Sequence, residues 1–240
     1  LISIGLAVSV ACFPFEKRKG ADEAAERENA CEEGKHPQNC NTPWEFFARY
    51  KKFGIALIGC VLLYTSHMMV SGFGFQIVVS KGGGSEETGI VMALAAMAEL
   101  PVLFVFTYML KAARCDIWIR ISGTAFMVKS LLTLWAGSMA FYYAIQILQL
   151  LGWGLFAVAS VYYVNAVTEK QDAIKGQAYM TATYSLGCII GAAAGGELID
   201  SMGVDAMLFW AVAASFGGMV ILLFAASNTQ KEDVRSAEKI

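Results

Sequence analysis

The sequence predicts an all-α membrane protein whose body is a bundle of six membrane-crossing helices. Hydrophobic residues make up 57% of the chain and charged residues only 16%, where a soluble domain carries about 25% charged residues. The apolar residues also fall in separate runs of roughly 20, the length a helix needs to cross a bilayer. A third observation is that the basic residues collect between alternate runs, as the loops of a multi-pass protein do.

The elements follow in order. The chain opens with "LISIGLAVSVACFPF", an apolar run too short to span. It has neither an initiating Met nor a basic flank, so it does not read as a signal peptide. Residues 1–14 read instead as the end of a helix whose beginning is missing. Residues 15–52 form a polar linker, in which eight acids face eight bases from position 16 on, with Pro37 and Pro43 among them. That composition suits a partly disordered segment. Its end, "PWEFFARYKKFG", interleaves Trp44, Phe46, Phe47 and Tyr50 with Arg49, Lys51 and Lys52, the pattern of an interfacial helix. Residues 53–226 hold the six spans, predicted at 53–73, 89–110, 117–134, 140–164, 180–198 and 207–226, and 227–240 is a polar tail. A linker between a truncated helix and six further helices implies two bundles, of which this chain holds the second.

Alternating the spans puts every Lys and Arg except Lys81 and Lys129 on one side or at its edge. The positive-inside rule makes that side cytoplasmic, with the linker and the C-terminus on it. The expected location is a bacterial cytoplasmic (inner) membrane or a plasma membrane. Six Cys do not form a disulfide framework here: Cys12, Cys60 and Cys188 lie in apolar stretches, and Cys31, Cys40 and Cys115 face the reducing side. Cys31, His36 and Cys40 share one loop but lack CxxC spacing, so no metal site is assigned. The loop "SKGGGSEETG" has three Gly that exclude a helix, then Ser85, Glu86 and Glu87, which favour a helix start. No GK[ST] follows, and a nucleotide site is rejected.

Ionisable residues inside a span are functional candidates by default. In "IVMALAAMAELPVLFVFTYML" Glu99 sits near the middle of an apolar helix, with Pro101 close behind. Counting rise places Glu99 about 15 Å from the outer end of its span and Lys129 about 18 Å from the inner end of the next. In a core of about 30 Å the two share a depth. They either form a structural ion pair or serve substrate and proton binding, and Pro101 favours a deformed helix lining a cavity. Lys129 has the further option of snorkelling to the headgroups. Tyr64, His67 and Ser71 recur at i, i+3 and i+7 on one face, lining a cavity or bonding a neighbouring helix. Gln146, Gln149 and Trp153 repeat that spacing; an amide beside an indole suits a sugar or a nucleoside, and packing is the alternative. Gly187, Gly191 and Gly195 are spaced for close helix packing.

Several of these stretches resemble a known family. "GQAYMTATYSLGCIIGAAAGGELIDSMG" is similar to the eleventh helix of major facilitator superfamily carriers of the lactose permease and nucleoside–proton symporter group. Its GG-x-L-x-D-x-x-G exit is matched by Gly195, Gly196, Leu198, Asp200 and Gly203. "AELP" after a Gly-rich loop resembles the eighth helix of that group, in which a carboxylate at the position of Glu99 contacts the sugar. Lys129 falls where the group has an Arg in the ninth helix. The resemblance implies helices seven to twelve of a twelve-helix carrier, with residues 1–14 as the end of helix six. It also implies a missing N-terminal six-helix half. One departure matters: the tenth-helix His and Glu used in proton coupling by lactose permease align with Gln149 and Gly152, which do not titrate. Any coupling within this chain then falls to Glu99, with Lys129 or His67.

The expected function is secondary active transport, as proton-coupled symport of a small polar solute such as a sugar or nucleoside by alternating access. The competing readings are an exporter of drug-like compounds and a non-transporting sensor or accessory bundle. The expected partners are the solute, protons, the lipid bilayer and the N-terminal half. An enzyme is not expected, since no nucleophile–base pair has a workable spacing. No cofactor is implied, and the cations mark a membrane face rather than a nucleic-acid surface.

Overall fold

The computed structural model describes residues 42–112 and 115–227. The helix end at 1–14, most of the linker, the Cys31/His36/Cys40 loop and the tail beyond 227 lie outside the described residues. Pro43 opens α1 (Pro43–Arg49), where its missing N–H costs nothing and its fixed φ suits a first turn. A single non-helical residue, Tyr50, separates it from α2 (Lys51–Gly72). The helix breaks at Phe73 and resumes as α3 (Gly74–Ser80), which the sequence reading did not anticipate. Gly82 then takes φ +82°, a conformation only Gly adopts at no steric cost, and turns the chain.

Helix α4 (Ser85–Ala112) starts where the Ser-Glu-Glu run predicts. The Gly84 N–H donates to Glu87 Oε2 at 2.8 Å, which satisfies a donor that the first turn would otherwise leave open. There follow α5 (Cys115–Trp135) and α6 (Met139–Ile145), whose N-cap Ser138 accepts from the Phe141 N–H. The chain continues as a 3₁₀ turn (Gln146–Gln149), a π turn (Leu150–Gly154) and α7 (Leu155–Val167). The last two helices are α8 (Ala173–Met202) and α9 (Val204–Ser227). Six of these stretches are long and apolar enough to cross a membrane, as the fold class requires.

Helix α2 is the centre of the bundle. Some 61% of its spanning window is buried, against 18% for α4 and 17% for α8, which form the rim. Lipid tails are as apolar as Leu, so close packing must hold such helices together. Small residues provide it on both sides of α2. A Cβ on Gly191 would lie 2.6 Å from the Thr65 carbonyl oxygen, and one on Gly187 would lie 2.5 Å from Tyr64 Cβ. A Cβ on Gly195 would strike the Phe73 ring at 2.5 Å. Across α2, a Cβ on Gly218 of α9 would meet the Gly59 carbonyl at 2.7 Å. Ser66 and Ser130 hydroxyls, 3.0 Å apart, join α2 to α5, a contact worth about 0.6 kcal/mol in a bilayer.

The α1 end of the bundle is tied by charge. Asp172, fully buried before α8, receives the Tyr50 hydroxyl at 3.1 Å and lies 3.6 Å from Arg49. Lys175 stands 4.0 Å from its other oxygen. Arg49 also reaches Glu169 at 3.7 Å, and the Glu169 N–H donates to the Tyr50 oxygen at 3.2 Å. Burial first, then Asp172, holds the Tyr50 phenol above its usual range against the opposing Glu169 N–H. It therefore remains a neutral donor. Phe46 is fully buried against Phe47, Tyr50, Phe53 and Tyr179, while Trp44 is 85% exposed. The short helix thus anchors one aromatic inward and leaves another outside.

Candidate functional site

The polar centre of the bundle is assembled by α4, α5 and the irregular stretch before α7. Lys129 on α5 and Gln149 are both about 95% buried, and Glu99 on α4 is half-buried. The Lys129 ammonium donates to Gln149 Oε1, and Gln149 Nε2 donates to Glu99 Oε1 at 2.9 Å. The chemistry fixes the orientation of the amide, because an ammonium has only donors to offer and a carboxylate only acceptors. Cation and anion are thereby joined through a neutral spacer. Glu99 and Lys129 make no direct ion pair, so the direct contact foreseen as one option from their shared depth is replaced by a bridge. The snorkelling option for Lys129 is also overturned, since its Nζ is held inside by Gln149.

A local irregularity builds this bridge. The expected common face of Gln146, Gln149 and Trp153 requires a regular α-helix, and the 3₁₀ and π turns remove that regularity. Gln146 is not brought to the centre: its buried amide donates to the Tyr142 carbonyl of its own helix at 3.2 Å. A π turn detaches carbonyls from the helical ladder. Gly152 O, which still accepts from the Leu155 N–H, also receives the Ser122 hydroxyl of α5 at 2.7 Å. Gly154 brings α4 close, because a Cβ there would touch Glu99 Cα at 3.4 Å. On α4 itself, Pro101 has no N–H to offer the Met97 carbonyl, which loosens the ladder beside Glu99.

Trp153, four residues past Gln149, begins an aromatic cluster. The His67 ring lies flat on the indole, with centroids 4.7 Å apart and an interplanar angle of 1°. Phe126 meets the other edge of His67 at 5.3 Å. Tyr64 stands edge-on to Trp153, Phe156 and Tyr184, and Tyr184 of α8 packs on Trp153 at 5.3 Å. His67 shares a 3.4 Å contact with the Ser71 hydroxyl and has no hydrogen bond to the charged triad. It belongs to the aromatic surface. Tyr64 is buried, whereas His67, Trp153 and Tyr184 remain partly open.

The structure therefore brings Glu99, Lys129 and Gln149 together in one polar group and His67, Tyr64 and Trp153 in an adjoining aromatic one. The three glycines lie away from both, in the α2–α8 seam. Sequence reasoning counts Tyr184 among the few polar residues inside the spans without joining it to a site, and it missed Phe126 and Ser122. Tyr184 is three residues before Gly187 and so flanks the seam face. The other two carry no signal outside their apolar surroundings. Among the described residues, no cluster of three His, Cys, Asp or Glu could hold a metal.

A bundle of apolar helices around a charged, aromatic-flanked centre is the architecture of a membrane solute carrier. The chain belongs to the MFS_1 like family, whose model matches residues 1–211, and is thus a multi-pass transporter of major facilitator type rather than an enzyme. No curated protein and no solved structure matches it.

Proposed function

We propose that the chain forms the second half of a proton-coupled symporter for a small polar solute, a sugar or a nucleoside, of the lactose permease and nucleoside–proton symporter group. In this reading residues 1–14 end the sixth helix, 15–52 are the cytoplasmic central loop, 53–226 are helices seven to twelve and 227–240 are a cytoplasmic tail. The observation that supports it is the placement of Glu99. One of its oxygens is held by Gln149, while the other makes no hydrogen bond among the described residues and sits at a half-open position. A carboxylate so placed can accept a solute hydroxyl or take up a proton as the cavity opens to one side and then the other. Lys129 behind the amide keeps the group electrically balanced. The Trp153 and His67 rings beside it supply an aromatic face for a sugar or base.

The test is Glu99→Gln in the complete carrier, in membrane vesicles carrying an imposed proton gradient. Uptake against a solute gradient falls to background, while downhill exchange of solute persists. Unimpaired proton-driven accumulation would remove Glu99 from the coupling role. The aromatic cluster supports a second reading, an exporter of flat apolar compounds. That reading expects Trp153→Ala to abolish efflux of a hydrophobic dye, whereas the symport reading expects no dye movement in the parent protein.

A further inference from the structure

The aromatic cluster draws its rings from four spans. Tyr64 and His67 come from α2, Phe126 from α5, and Trp153 and Phe156 from the span that ends as α7. Among the described residues, Tyr184 is the single ring that α8 adds. Two contacts of α8 put it there. Gly187, three residues on, has no Cβ to hold the helix off Tyr64. Gln177, about two turns back on the same face, donates to the Val161 carbonyl of α7 at 2.9 Å. This face of α8 therefore looks onto the span that carries Trp153.

The Tyr184 ring is well held on one side only. Against Tyr64 it stands edge-on, at 5.2 Å and 82°, a favoured geometry. On Trp153 it leans at 5.3 Å and 42°, neither stacked nor edge-on. Among the described residues no hydrogen bond ties its hydroxyl to α2 or to the Trp153 stretch; its polar neighbour is Cys188 of its own helix. The indole thus has a flat partner in His67 and a loosely placed one in Tyr184. A solute ring lying parallel to the indole would improve on the second contact.

We infer that Tyr184 is a specificity-determining residue of the carrier: its ring limits how large a ring system can lie against Trp153. This rests on the reading that the solute meets Glu99 and the rings beside it. In that reading the cavity lies between this bundle and the missing half, so Tyr184, still partly open here, meets either the solute or the second bundle. Its lean on Trp153 points to the solute. A ring that takes space from the stacking face takes it from the solute, whichever helices close the far side.

The test compares pairs of solutes, because a merely structural ring would change both rates alike. In vesicles holding the complete carrier, kcat/KM is measured for uridine against adenosine and for phenyl against naphthyl β-glucoside. Tyr184→Ala should raise the ratio of the larger solute to the smaller about tenfold, the low end of what one size step in an apolar pocket yields. Tyr184→Trp should lower that ratio. Tyr184→Phe should leave it unchanged, since the hydroxyl has only Cys188 beside it. An equal ratio in the parent, Tyr184→Ala and Tyr184→Trp would put the ring against the second bundle and overturn the inference. Trp153→Ala keeps the two readings apart: it should raise KM for every probe taken up, and an unchanged KM would remove the solute from these rings altogether. If neither the parent nor Tyr184→Ala takes up any of the probes, the inference falls together with the symport reading.

Discussion

The bundle contains two kinds of helix contact that differ in nearly every respect. The seam between α2 and α8 is made of glycines at a strict four-residue spacing, on regular helices, with backbone against side-chain base. The contact of α4 and α5 with the stretch before α7 is made of a carboxylate, an amide and an ammonium, on a helix that tightens to 3₁₀ and then widens to π. The seam gains stability by excluding atoms. The polar group gives some of that up in order to keep a charge pair apart. Neither arrangement could serve in the other's place: a seam has no group that can meet a solute, and a charged triad cannot be packed to within 3 Å of a neighbouring backbone.

The sharpest way to break this contrast is to put a side chain into the seam. Gly191→Leu would drive carbon into the Thr65 carbonyl and Met68, and a cost of about 3 kcal/mol or more is expected. Thermal unfolding followed by size-exclusion chromatography should show little folded protein. Gly196→Ala is the control, because its new Cβ would lie 3.8 Å from Phe73, in ordinary contact. Stability there should stay within about 0.5 kcal/mol of the parent. If the two variants behave alike, the seam is not what holds α8.

Next in size is Gln149→Leu. It strips the described partner from both Lys129 and Glu99, and two buried or half-buried groups lose hydrogen bonds worth about 1–3 kcal/mol each to leave unmade. Some of this is recovered if the two charges close on one another. Transport should fall to background while most of the protein remains folded, which separates this variant from the seam. Wild-type uptake by a folded Gln149→Leu carrier would show that the bridge is dispensable. The smallest effect belongs to Ser122→Ala, which removes the hydroxyl bond from α5 to the Gly152 carbonyl, worth about 1 kcal/mol, while the Leu155 N–H still reaches that oxygen. A modest drop in melting temperature is expected, with a larger change in transport than in stability, since the π turn aims Trp153 and Gln149. Equal losses in both would make Ser122 a purely structural contact.

Much of this molecule is written plainly in its sequence. Six apolar runs identify six helices, because a bilayer demands length and apolarity and little else. Their ends are less legible. Residues 180–198 mark only the greasy middle of α8, which extends from Ala173 to Met202 because polar residues continue a helix once it has left the hydrocarbon. Counting rise put Glu99 and Lys129 at one level, yet it could not reveal the amide that joins them. That amide reaches the gap through an irregular turn, and "LQLLGWG" reads as helix by hydropathy whether or not it departs from α geometry. The two glycines flanking Trp153 are the only local hint. The Gly187, Gly191 and Gly195 spacing was legible for the opposite reason: a regular helix makes every fourth residue a neighbour, so periodicity and geometry coincide.

The tie around Asp172 has a mechanical meaning. Tyr50 immediately precedes α2, and Asp172 immediately precedes α8, so one buried carboxylate fastens the first residues of both helices to α1. A tug on α1 is delivered to α2 and α8 together, as through a yoke. At that end the two helices turn in step, and any shear between them has to develop farther along the glycine seam, toward Gly195 and Phe73, where no such fastening exists among the described residues.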